Sequence, residues 1–313
     1  MDGSDELSCR TLYWLEGGKE AYMSELPPTP FADTIGDMLP ILVSAHIQNV
    51  LEIKELEGFW QTKVVFELSW FDQRLVMQNL KDDDDRNILA DEERQLIWFP
   101  KIIFANNGEA LRMVLDDKAS IIVKREGEAR PNELTALNAA ELFKGQENPF
   151  HYSRTYSTKF ECDFNLRYYP FDTQECVMVL RVLNSQRDEL NLTAYKVKYV
   201  GPTNLPQFGV KSTKFINMNG KAIFVMKFQR KFQYHLISVY IPSFSLFLIS
   251  IATMRIDIEH FEATIMVHLT AMLVVYTLFQ AISVSLPQVT YWYLIYIHIS
   301  EHCQPQYYFC QYK

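Results

Sequence analysis

The last quarter of the chain carries two long runs without a single Asp, Glu, Lys or Arg, and that absence limits the fold more than any motif does. Residues 233–254 make the first run, 22 residues long, and Ala263 to Ser300 make the second, 38 residues long. About 20 apolar residues cross the hydrocarbon core of a bilayer as one helix. The first run is therefore one span. The second is too long for one and is cut by Pro287, which predicts a second span over residues 263–286 and an incomplete third segment over 288–300. Core helices of soluble proteins of this length keep a charged face. Pro242 would break a soluble helix, but neighbours in a membrane bundle re-satisfy the carbonyl it frees.

Beyond residue 232 only Arg255, Asp257, Glu259, Glu262, Glu301 and Lys313 are charged, so most of the net charge of −8 lies upstream. Two media follow: a water-soluble acidic domain over residues 1–232 and a membrane domain over 233–313. The acidic balance, with pI near 5.5, excludes the basic footprint of a nucleic-acid binder. In the second span Thr270, Thr277, Gln280 and Ala281 recur near helical spacing among large apolar residues. Met266, Thr270, Leu273, Thr277 and Val284 share one face, which suits either helix contacts or a water-filled path. Glu262 stands at the entrance of that helix. It either complements the helix dipole or contributes to a charged ring where several chains meet.

Upstream, short runs alternate in period two between turn residues. In Lys63 to Trp70, Val64, Phe66, Leu68 and Trp70 face one way, opposite Lys63, Val65, Glu67 and Ser69. Similar runs cover Ala119 to Arg125, Cys176 to Leu183 and Ala222 to Phe232, and a helical pattern occurs only around Leu134 to Phe143. Many short strands of this kind predict a mainly β, immunoglobulin-like sandwich followed by transmembrane helices. The acidic run Asp82 to Asp85 reads most simply as a solvated loop, because its acids are consecutive rather than alternating as calcium coordination requires. No Gly-rich phosphate loop, spaced His and Cys metal cluster or nucleophile motif is visible, so the reading is not an enzyme, with no metal and no cofactor. Cys162 and Cys176 lie in the acidic domain, and in an extracellular compartment they can close a small loop. Asn191-Leu192-Thr193 is an N-glycosylation acceptor that agrees with that compartment.

The segment between those cysteines reads Cys162-Asp163-Phe164-Asn165-Leu166-Arg167-Tyr168-Tyr169-Pro170-Phe171-Asp172-Thr173-Gln174-Glu175-Cys176. It resembles the loop of a Cys-loop receptor subunit, from the pentameric ligand-gated ion channels. Trp70-Phe71-Asp72-Gln73-Arg74-Leu75, Trp98-Phe99-Pro100 with Phe104-Ala105-Asn106, Leu205-Pro206-Gln207-Phe208 and Tyr240-Ile241-Pro242-Ser243 follow the family order. Ser285 to Tyr291 resembles the linker after the pore helix of the glycine and GABA receptor branch. The resemblance implies an extracellular sandwich closed by the Cys162–Cys176 disulfide, in a multi-pass protein of the cell membrane, postsynaptic in members that act at synapses. It implies homo- or hetero-pentamers with related subunits, a small-molecule agonist, permeant inorganic ions and a pore lined by the second span. Leu273 then matches the gating leucine ring, with Thr270 and Thr277 at hydrated positions beside it. Arg230 and the Tyr169-Pro170-Phe171-Asp172 tip match positions that couple the sandwich to the pore, the tip resting near the linker at Pro287. Val65, Glu67, Phe104, Leu183 and Phe215 match the agonist-binding strands and loops.

Three departures shape the expectations. Glu262-Ala263-Thr264 stands where anion-selective members carry Pro-Ala-Arg, and a carboxylate ring favours cations. Glu67 stands where glycine and GABA type subunits carry an Arg that grips a ligand carboxylate, and Phe215 is the lone aromatic of Lys211 to Lys221. The agonist is open among an amine, an amino acid, a proton and a metal ion, with a simple amino acid disfavoured. The amino terminus lacks the basic start and apolar core of a signal peptide, and the residues after Tyr291 do not continue like a third and fourth family helix. A truncated subunit that is non-conducting or traps its partners is therefore the alternative expectation to a channel-forming one.

Overall fold

The structure, a computed structural model, describes residues 12–14, 22–28, 38–107, 120–131, 141–183, 189–253, 255 and 260–284. Among these the chain forms thirteen strands followed by two long helices. The strands are β1 (Leu12–Trp14), β2 (Leu39–Lys54), β3 (Phe59–Trp70), β4 (Leu75–Gln78), β5 (Ile102–Phe104), β6 (Ser120–Val123), β7 (Arg130–Pro131), β8 (Glu141–Lys144), β9 (Phe150–Glu161), β10 (Thr173–Val182), β11 (Leu190–Tyr199), β12 (Phe208–Met218) and β13 (Lys221–Arg230). The period-two runs became β3, β6, β10 and β13 within a few residues of their expected ends. The pattern around Leu134 to Phe143 did not become a helix at its described end. Residues 132–140 lie outside the described part, and Glu141–Lys144 is a strand paired with β4 and β7, with Phe143 fully buried. Cross-strand pairing and core burial override a short helical spacing.

One sheet runs β11-β2-β3-β9-β6 and a second runs β12-β13-β10-β5, with β1-β4-β8-β7 as a smaller third. The first two close on each other as a sandwich. Phe66 of β3 meets Phe104 of β5 at 5.4 Å and Phe224 of β13 at 5.9 Å, and Trp60 meets Phe228 edge-on at 5.7 Å. Alternation decides which side chains do this: Val64, Phe66, Leu68 and Trp70 are buried, while Val65, Glu67 and Ser69 face outward. The Trp70 to Leu75 motif earns its residues structurally. Arg74 forks onto Asp72 through Nε (2.9 Å) and Nη2 (2.8 Å), stacks on Tyr22 and donates to the carbonyls of Met23 and Leu26, pinning residues 22–28 to the sandwich. The Asp82 to Asp85 run is a largely exposed loop and turn, tied back through Arg125 to Asp82 and Asp84.

The last strand ends at Arg230 and the first helix, Gln233–Thr253, begins three residues later. Its turn at Leu236–Tyr240 is a π-turn directly before Ile241 and Pro242. Widening the helix there accommodates a proline that cannot donate to the preceding turn. The second helix, Phe261–Ser283, starts two residues earlier than expected, which puts Glu262 and Ala263 inside its first turn. Both helices are long and apolar enough to cross a membrane. The expected third segment and Pro287 lie outside the described residues.

Cys162 and Cys176 form a disulfide with Cα atoms 5.1 Å apart, closing the loop between β9 and β10. Within it Gln174, buried, bonds both the N–H and the carbonyl of Asn165 at 2.9 Å, bracing the two limbs. Replacing both cysteines by alanine is expected to cost about 3 kcal/mol by loss of loop-closure constraint, read as a lower melting temperature of the full chain. An unchanged melt would contradict this. A second expectation concerns acid. Burial, aided by the Lys124 charge, pushes the His151 imidazole down to about 4, against about 6.5 in an unfolded chain. The unfolded state therefore takes the proton first, so stability present above about pH 6.5 is lost as pH falls toward 4. His151→Gln should flatten the melting temperature across that window, and an unaltered pH profile would refute the assignment.

Candidate functional site

The chain offers three groups of candidate functional residues: a junction between sandwich and helices, an outward sheet face, and a stripe on the second helix. At the junction β13 delivers Arg230 into a buried cluster. Its Nε donates to Asp172 Oδ1 at 2.7 Å and its Nη2 to Asp172 Oδ2 at 3.1 Å, and Nη2 also bonds Glu55. The guanidinium stacks on Tyr169 at 4.6 Å and on Phe208 at 4.7 Å. Gln174 donates to Asp172 as well. Burial pushes the Glu55 carboxyl up from its ordinary range, against the pull of the Arg230 charge. Removing one member leaves an uncompensated buried charge, which is strongly destabilising.

The loop tip then rests on the helices. Leu166 and Tyr169 are buried in a small apolar cluster with Val239 of the first helix and Val275 and Ile282 of the second. Phe171 meets Phe232 at 5.2 Å and Tyr240 at 6.2 Å, and the Tyr169 hydroxyl lies 3.1–3.2 Å from the His235 ring nitrogens. The Tyr169–Pro170 peptide is cis. The tip thus sits on the start of the first helix; its expected neighbour, Pro287, lies outside the described residues. Arg230, Asp172 and the tip, singled out from the sequence, come together here with Glu55 and His235, which the sequence did not single out. Glu55 sits in the turn between β2 and β3, 175 positions from its partner, where no local pattern marks it.

The agonist candidates divide between the sheets. Val65 and Glu67 are on the outward face of β3, and Glu67 Oε2 is paired with His46 Nε2 of β2 at 3.3 Å. Phe104 points into the core, 1% exposed, and packs on Phe66, Tyr156 and Phe160, so it shapes any site only from behind. Leu183 is half-buried, its N–H bonded to the Lys101 carbonyl at 2.8 Å. Phe215 is exposed on the edge strand β12, in register with Phe224. Because Glu67 faces away from the second sheet, one chain does not bring Glu67 and Phe215 together. Asn191 is exposed on the edge strand β11.

The two helices meet along a seam that is polar but small. Ser243, Ser250 and Thr253 of the first and Thr264, His268 and Ala271 of the second are buried, and Thr253 Oγ1 and His268 Nε2 approach to 3.5 Å. At about 100° per residue, Thr264, His268, Ala271, Val275 and Ile282 mark one side of the second helix. Met266, Thr270, Leu273, Thr277 and Val284 mark the opposite side, and all five are exposed, as are Glu262 and Ala263. The Thr270 and Thr277 hydroxyls satisfy themselves on carbonyls of their own helix, at 2.8 Å to Val267 and to Val274.

Residues 15–137 and 149–241 match the family described as the neurotransmitter-gated ion-channel ligand binding domain. Among similar curated proteins, the serotonin-gated chloride channel mod-1 of Caenorhabditis elegans is 23% identical over 267 residues, covering 82% of this chain and 50% of that protein. A glutamate-gated chloride channel of Drosophila melanogaster is 23% identical over 287 residues, covering 88% of this chain and 58% of the relative. A gamma-aminobutyric acid receptor subunit beta-like protein of the same fly is 23% identical over 275 residues, covering 82% and 51%. The chain spans about half the length of the curated relatives it matches. With a disulfide-closed loop seated on two apolar helices and a sandwich matched over most of its length, the chain belongs to the neurotransmitter-gated ion-channel family, whose members are ligand-gated channels and not enzymes.

Proposed function

We propose that the chain is a subunit of a pentameric, extracellular ligand-gated ion channel of the cell membrane, in which agonist binding to the sandwich opens a pore lined by the second helix. The observation that carries this reading is the face left open on that helix. Its small polar seam against the first helix is already used, so the exposed stripe of Met266, Thr270, Leu273, Thr277 and Val284 is free to face related subunits around a water path. Threonine hydroxyls bonded to their own helix can wet such a path, and a ring of Leu273 side chains would close it by dewetting. The remaining helix surface meets lipid.

Transmission follows from covalent distance. β13 carries Arg230, and the first span begins at Gln233, so motion of the strand reaches the membrane through three residues. The loop tip moves with the strand because Asp172 and Glu55 hold the guanidinium, and it presses on both helices through Leu166 and Tyr169. The agonist would bind where the outward face of β3 in one subunit, with Val65 and Glu67, meets the Leu183 and Phe215 side of its neighbour. Asn191 would carry a glycan on the extracellular surface. The Glu262 carboxylate supports cation selectivity, whereas two relatives are named chloride channels, and the shift of reversal potential with external chloride separates the two.

Cysteine scanning of the second helix tests the pore reading. In agonist-opened assemblies, cysteines placed at Thr270, Leu273 and Thr277 should react with a charged thiol reagent roughly tenfold faster than cysteines at Ala271 and Val275, because only a water path delivers ionised reagent. Equal rates on both faces would reject it.

A further inference from the structure

The outward face of the first sheet places one carboxylate in a row of hydroxyls. Ser44 of β2, Glu67 of β3 and Ser153 of β9 are directly opposite one another in register, and Ser120 of β6 continues the row beyond Ser153. All four face outward, because their chain neighbours Val43, Phe66, Tyr152 and Ile121 are buried. A small group bound at Glu67 reaches its directly opposite neighbour on an adjacent strand, but not the outer members of the row together. His46, one step along β2 on the same face, holds Glu67 Oε2 at 3.3 Å.

We propose that Glu67 and Ser153 recognise a primary ammonium group, with His46 as the positioning residue that holds the carboxylate. This deepens the reading of the β3 face as part of the agonist site and rests on it. A primary ammonium carries three donors and no acceptor, which matches the Glu67 carboxylate and the adjacent Ser153 hydroxyl, with the third donor left to water. A quaternary ammonium has no donors and is recognised through the faces of Trp, Tyr and Phe, and Val65 and Thr155 rather than such rings lie beside the row. A ligand carboxylate would meet Glu67 head-on.

The charged groups nearest the row are Lys196 and Lys198 of β11, in register with Ser44 and His46, and Lys63 further along β3. The two β11 lysines flank the row on its β2 side, which leaves the Ser153 side of Glu67 to a cationic ligand.

The test uses the full chain in lipid nanodiscs and two probes of fixed charge, butylammonium and butyltrimethylammonium, with binding read by saturation-transfer NMR. At pH 7.5 the primary amine should bind better than the quaternary one, and Glu67→Gln should weaken it about tenfold while Glu67→Asp retains the preference. His46→Ala should weaken butylammonium about fivefold, and His46→Gln, which keeps a side-chain N–H donor for Glu67, should restore it. Equal binding of the two probes, or His46→Gln as weak as His46→Ala, would overturn the proposal even if Glu67→Gln fails to fold. Because no current is measured, failure here leaves the channel reading standing, and failure of the cysteine scan leaves this one standing.

Discussion

The junction of the two media depends on one buried guanidinium. Arg230 is 6% exposed and is surrounded by Asp172, Glu55, Tyr169 and Phe208, drawn from three separate stretches of the chain. A charge taken out of water is tolerated only when its hydrogen bonds are met, and here two carboxylates and two ring faces meet them. The consequence is mechanical. The turn between β2 and β3, the disulfide-closed loop and the end of β13 are tied at one point, three residues before the polypeptide enters the first apolar helix.

Below that point lipid sets different rules. Apolar packing between helices gains little from burial when the surroundings are already hydrocarbon, so small hydroxyl residues form the seam. Ser243, Ser250, Thr253 and Thr264 are buried for that reason, and His268 bonds the Thr264 carbonyl at 2.8 Å. The polar stripe on the opposite side of the second helix is therefore not required for pairing within the chain. Its threonine hydroxyls, bonded to their own helix and unused by the partner helix, are open to water or to other subunits, which is the physical basis of the pore reading.

Much of the architecture was legible from side-chain period and charge. Strands β3, β10 and β13 alternate clearly because one face of each is buried, and the spans announce themselves by lacking charge over helical lengths. What failed was local reading of short or ambiguous segments: the spacing ending at Phe143 looked helical, yet its described end pairs as β8. The Phe104 motif located its strand but not its direction, since side-chain direction follows from pairing of β5 with β10, where Phe104 meets Leu180. Partners distant in sequence were invisible. Neither the pairing of Glu67 with His46 nor that of Arg230 with Glu55 leaves a local trace: the first is set by the register of β2 against β3, the second by the β2–β3 turn reaching the end of β13.

The central claim is that Arg230 and Asp172 make the sandwich and the first span one mechanical unit. A double-mutant cycle of Arg230→Gln and Asp172→Asn, followed by hydrogen exchange on the full chain, tests it most directly. The account predicts that Arg230→Gln strips protection from residues 164–172 and 232–240 together, and that the double variant is no worse, with a coupling of roughly 2 kcal/mol or more. Additive effects, or loss of protection confined to β13, would contradict it.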